Sequence, residues 1–169
     1  MDKGFKSIRH KMCGIWNDFV DFSQSPDPIA VEKAMRCELY GGCEGFVLTF
    51  FGGIDTIYID IAVKLKKQQE NLMLLGLFPY SNILYHLSDS SAEHRQSLYF
   101  EMDRCIDATC EHRYDSFDVC ADMFTESCNT MIVLLNDPIS AKTNQMLKTA
   151  FDEKCNIRYI KPPTLPTKP

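Results

Sequence analysis

The stretch "FVLTFFGGIDTIYIDIAVKLKK", residues 46–67, constrains the fold more than any other, because it reads either as a hairpin or as a strand leading into a helix. Ile57, Ile59, Ile61, Val63 and Leu65 alternate with Tyr58, Asp60, Ala62, Lys64 and Lys66, a period of two over ten residues. Such alternation marks a strand with one buried face, and β-branched residues lose side-chain freedom in helices. With "NLMLLGLF" following and "NILYHL" beyond Pro79, the pattern predicts an antiparallel meander over about residues 45–88. Gly52 and Gly53 then form the hairpin turn, and Asp55 is a turn residue without a metal role.

The C-terminal third is simpler. "TMIVLL" is a short continuous apolar run, "SAKTNQMLKTAFDEKC" has helical spacing, and "NIRYI" is strand-like. Together they predict a β-α-β unit whose parallel strands are covered on both faces. The expectation is therefore one α+β or α/β domain over residues 1–161, with a mixed sheet packed by helices. An extended proline-rich tail, residues 162–169, follows.

Several helices complete this reading. Phe5, Ile8, Met12, Ile15, Trp16, Phe19 and Phe22 recur at steps of three and four and predict an amphipathic helix over residues 5–22. Asp27 and Pro28 are a cap and first-turn pair for a helix through "IAVEKAMRCEL", which "YGGCEG" ends. Ser90 and Glu93 have capping-box spacing ahead of a helix through Leu98, Met102, Cys105 and Ile106. "YDSFDVCADMFTES" predicts another through Phe117, Cys120, Ala121 and Phe124.

If residues 57–68 are instead helical, the element order of residues 45–161 resembles the von Willebrand factor A domain. The residues that carry the likeness are "LMLLGLFPYSNILYHLSD", "NTMIVLLNDP" and "KTNQMLKTAFDEKCNIRYI". The resemblance implies a three-layer α/β fold. Active members of that family place an Asp and two Ser residues after the first strand to ligate a hard divalent cation. The matching stretch here, "FFGGIDTI", supplies Asp55 and Thr56 without the serines. It implies kinship with degenerate, scaffold-type members of intracellular assemblies, such as the Ku heterodimer and deubiquitinase complexes.

A formal charge of −5 argues against nucleic acid as the main partner. No stretch has the roughly 18 apolar residues of a membrane span, and the N-terminus lacks the apolar segment of a signal peptide. An intracellular location, cytoplasm or nucleus, is expected, so the eight cysteines are expected to be reduced thiols, several of them in the core. "CIDATCEH" brings Cys105, Cys110 and His112 together, but C-x4-C across a helix end is not the tight knuckle of structural zinc sites. No phosphate-loop, dinucleotide, zincin or nucleophile-elbow motif is present. Neither metal nor cofactor is expected.

These observations favour a non-enzymatic protein–protein interaction module: a subunit, adaptor or effector, with a homo- or hetero-oligomer possible. Its contact residues are expected on the N-terminal helix, at Phe5, Ile8, Met12 and Trp16. The tail adds Pro163, Pro166 and Lys168, which fit the P-x-x-P-x-K arrangement of a polyproline ligand. The alternatives are a divergent enzyme with a cysteine or carboxylate site not visible as a motif, and a host-modulating or virulence factor.

Overall fold

A computed structural model of the chain describes residues 11–18, 25–52, 54–79, 91–108 and 116–161. Among them lie six strands: β1 (Met12–Asn17), β2 (Gly45–Thr49), β3 (Met73–Phe78), β4 (Arg104–Asp107), β5 (Thr130–Leu134) and β6 (Asn156–Ile160). The helices are α1 (Pro28–Tyr40), α2 (Asp55–Gln68), α3 (Ala92–Tyr99), α4 (Ser116–Ser127) and α5 (Ala141–Asp152). The strands form one sheet in the order β4-β3-β2-β1-β5-β6, and every adjacent pair is parallel. This is an α/β domain.

The antiparallel meander is thereby corrected, since residues 55–68 are helix α2. Tyr58 and Ala62, assigned to the solvent side of a strand, are fully buried, while Asp60, Lys64 and Lys67 are exposed. Those three sit at steps of four and three, the spacing of a helical stripe. A helix buried on all but one narrow stripe leaves few polar markers, and chance alternation then imitates a strand. Gly52 is no hairpin residue: it takes a left-handed φ of 90° at the exit from β2. Asp55 is not a turn residue but the first residue of α2.

The expected helix over residues 5–22 is corrected where it is described. Met12–Asn17 is a strand hydrogen-bonded to β2 on one side and β5 on the other. Met12 and Trp16 are 2% and 0% exposed, so neither belongs to an outward docking face. A central parallel strand is covered on both faces and reads as a continuous apolar run, which periodicity cannot separate from a helical stripe. Phe5, Ile8, Pro163, Pro166 and Lys168 lie outside the described residues, as does "NILYHL". The helix expected through Cys105 and Ile106 ends earlier, at Tyr99, and those two residues belong to β4.

Other expectations hold. Asp27 caps α1, accepting from the Ile29 N–H at 3.0 Å with Pro28 in the first turn. Helix α4 covers "SFDVCADMFTES", and β5-α5-β6 is a parallel crossover unit. Two apolar layers sandwich the sheet. α1, α2 and α3 pack with Cys13, Ile15, Phe46 and Ile132 on one face, and α4 and α5 pack with Trp16, Val47, Met131 and Val133 on the other.

The second layer is tight at Gly14. A Cβ there would lie 2.4 Å from the Phe124 ring and 2.6 Å from the Cys128 sulfur, both fixed in the core. Gly14→Ala should therefore cost about 1–3 kcal/mol through overpacking. Urea unfolding of the two proteins measures this, and an unchanged midpoint would mean that α4 does not press on β1 as described.

Candidate functional site

Strands β1, β2, β3 and β4 step outward in one direction, and the chain then returns through α4 to place β5 on the other side of β1. The connections leaving β1 and β5 thus run to opposite faces. A switch point of this kind, beyond the carboxyl ends of the two strands, marks the crevice in which ligands of open α/β sheets bind. The same dipeptide marks both exits: Asn17 ends β1 and Asp18 follows it, and Asn136 and Asp137 follow the β5 run.

Asp18 is 2% exposed and is surrounded by donors from the β5–α5 connection. Its carboxylate accepts from the backbone N–H of Asn136 at 3.2 Å and of Ser140 at 3.3 Å, from the Ser140 hydroxyl, and from the Thr143 hydroxyl at 2.6 Å. Ser140 also caps α5, its hydroxyl accepting from the Thr143 N–H at 3.2 Å. The Trp16 indole donates to the Thr143 hydroxyl at 2.9 Å. Asp18 therefore supplies negative charge to the start of α5, where the helix dipole favours it, and ties β1 to the opposite side of the crevice.

A second polar chain runs from Asn17 to α3. The Asn17 amide donates to the Gly52 carbonyl at 3.1 Å, and the Gly52 N–H donates to Asp55 at 2.9 Å. The Arg95 guanidinium donates to both Asp55 oxygens at 2.8 Å. Asp55 and Arg95 are both fully buried. Burial pushes the Asp55 carboxyl up to about 6, against the opposing pull of Arg95 and of the Gly52 and Thr56 N–H groups. Beside this pair the Tyr58 hydroxyl bonds to Thr49, whose own hydroxyl donates to the Ile15 carbonyl at 3.0 Å.

Between the two chains stands Lys142, in the first turn of α5. Its ammonium lies 4.5 Å from the Phe51 ring centre, 5.0 Å from that of Phe117 and 5.9 Å from that of Trp16, within cation–π range. Phe51 meets Trp16 at 4.9 Å and Phe117 at 5.4 Å, both edge to face. Burial holds the Lys142 ammonium below the usual lysine range, with Asp18 and Cys120 opposing the shift. No salt bridge ties Lys142 to a described carboxylate.

Of the two predicted contact residues that are described, Trp16 reaches this site, and it does so from inside the core. Met12 lies at the other end of β1. Asp60 is exposed and meets His94 at 2.7 Å, while Lys64 pairs with Glu32 at 3.0 Å. No disulfide joins the described cysteines to one another. Cys13, Cys120 and Cys128 are fully buried, as expected of core thiols, but Cys37 and Cys105 are exposed. Burial pushes the thiols of Cys13, Cys43, Cys105 and Cys120 up, away from the nucleophilic thiolate. Among the described residues, no three His, Cys, Asp or Glu side chains gather as a metal site, and no helix is long and apolar enough to cross a membrane. Asp18, Arg95 and Lys142 were not anticipated. The repeated Asn-Asp after two buried apolar runs was the visible signal for Asp18.

The Asp55–Arg95 pair gives a pH-dependent stability. An Asp55 carboxyl near 6 in the fold and near 3.8 unfolded makes the folded state hold the extra proton between those values. This contribution to stability is therefore largest below about pH 4 and falls as pH rises to about 6. Arg95→Met removes the cation and should cost about 3–5 kcal/mol where Asp55 is ionised. Urea titrations at pH 8 and pH 5 should show a smaller deficit at pH 5, where Asp55 is largely neutral; a deficit equal at both would refute the assignment.

No protein-family model matches the chain and no curated protein matches it, so the reading of this crevice rests on its own geometry.

Proposed function

We propose that the chain is a protein–protein interaction module, a subunit, adaptor or effector, whose working surface is the carboxyl end of the sheet around Lys142. The observation that carries this reading is a cation held over three aromatic rings without a described salt-bridge partner. Phe51, Phe117 and Lys142 are half-buried, and Ile139, 38% exposed, lies on the connection leading into α5. Such a shelf suits a partner segment that presents a carboxylate beside an apolar side chain. The carboxylate meets Lys142 in a partly desolvated setting, where an ion pair is stronger than on open surface, and the apolar group covers the rings.

Free thiols support an intracellular setting for such a module. Kinship with scaffold-type von Willebrand factor A domains is part of the same proposal, supported by the alternation of strands and helices from β2 to β6. A host-modulating role is one way in which such a surface could act.

A photo-crosslinking residue in place of Phe117 should capture a partner in the native cell, whereas one in place of Lys33, on the exposed side of α1, should not. Lys142→Glu should weaken that capture about tenfold or more, because it sets like charges against each other. Equal capture from both positions, or capture indifferent to Lys142→Glu, overturns the reading.

The second reading, an enzyme with a carboxylate–lysine site, is favoured by the lowered ionisation of Lys142 beside Asp18. It requires Lys142 to undergo reductive alkylation near neutral pH ahead of exposed lysines such as Lys33. Peptide mapping decides this, and a slower Lys142 removes the enzyme.

A further inference from the structure

The two edges of the sheet are not alike. β4 has four residues, RCID, and is flanked by Asp103, whose carboxylate takes both the Leu74 N–H and the Lys66 ammonium. Short, charged edges of this kind resist further pairing. β6 is longer and its sequence, NIRYI, has neither a proline nor a lysine. The Asn156 N–H donates to the Asn129 carbonyl, and the Ile160 carbonyl accepts from the Leu135 N–H. Residues 156, 158 and 160 thus turn their backbone groups toward β5, and Ile157 and Tyr159 turn theirs outward. Those outward groups take no partner among the described residues.

We propose that this edge is a dimerisation surface, on which β6 pairs antiparallel with β6 of a second copy across a two-fold axis at Arg158. The register is self-complementary. It sets Ile157 of each copy opposite Tyr159 of the other, and both residues carry outward backbone groups, so four inter-chain hydrogen bonds close the seam. The side chains form two isoleucine–tyrosine cross-strand pairs, a favoured combination. They lie on the α5 face of the sheet, where Tyr159 is 51% and Phe151 79% exposed beside Cys155.

On the opposite face the two Arg158 side chains meet at the axis. Each arrives with its own carboxylate, Glu38 at 3.1 Å, so the seam carries alternating charge and not bare repulsion. The chain's own tail is a poor competitor: Pro162, Pro163, Pro166 and Pro169 lack the N–H groups that a ladder needs. The dimer goes beyond the interaction surface around Lys142 and does not depend on it.

Sedimentation of the full chain from micromolar to hundred-micromolar concentration should show a monomer–dimer equilibrium. Tyr159→Lys places a charge on the edge and should weaken it about tenfold or more, with the urea midpoint reporting that the monomer still folds. Arg158→Cys should form a disulfide-linked dimer under mild oxidation, because directly opposed residues of a non-hydrogen-bonded antiparallel pair lie closest. Its yield should exceed that of the unmodified chain and of Ser97→Cys on α3 by about tenfold, taken as an order of magnitude in effective concentration. A chain that stays monomeric throughout, a dimer that ignores Tyr159→Lys, or cross-linking no better than from Ser97→Cys each overturns the proposal.

Discussion

An all-parallel sheet cannot be closed with tight turns. Each strand must be followed by a crossover that returns to the same end of the sheet, and both faces must then be covered. Here α1, α2 and α3 fill one face and α4 and α5 the other. The change of face falls between β1 and β5, so these two neighbouring strands release their chain ends in opposite directions. The crevice, the central burial of Met12–Asn17 and the position of α5 all follow from that reversal.

A reversal also leaves polar ends at the centre of the molecule, and these need partners, since a buried unpaired group costs about as much as a lost hydrogen bond. Asp18 answers this by accepting from both the backbone and the side chains that open α5. Asn17 and Asp55 do so through the two sides of one residue, Gly52, whose left-handed conformation is what lets its carbonyl and N–H face different elements. Arg95 completes that chain from α3. Such a pair stabilises little beyond an apolar substitute of the same volume, yet it punishes removal of either member. It therefore fixes how α3 sits on α2 more than it strengthens the fold.

How much of this was legible depended on whether an element kept a polar side. The unit from Thr130 to Ile160 did: α5 alternates buried Thr143, Met146 and Ala150 with exposed neighbours, and its strands are brief apolar runs bounded by polar residues. Asp27 and Pro28 marked α1 by local chemistry that tertiary packing did not override. The failures were the most buried elements. β1 is buried along its whole length, and α2 shows solvent only Asp60, Lys64 and the residues near its end, so neither carried a decisive period. The site was hidden for another reason. Lys142, Phe51 and Phe117 are far apart in the chain and meet only because the sheet changes face, which no local pattern encodes.

Asp18 and Lys142 together explain why the carboxyl end can remain polar without becoming an ordinary anion site. A helix N-terminus attracts negative charge, but that of α5 is already occupied by Asp18. On the proposed reading a second anion binds beside the helix end, and Lys142, over its aromatic shelf, is the cation that receives it. The rings raise the cost of hydrating the ammonium and supply apolar area next to it. Recognition of the proposed kind demands both properties from one partner, a charge and an adjoining apolar group, and neither a free phosphate nor a bare hydrophobic surface offers the pair. On that reading the double requirement, and not a deep pocket, is what makes the surface selective.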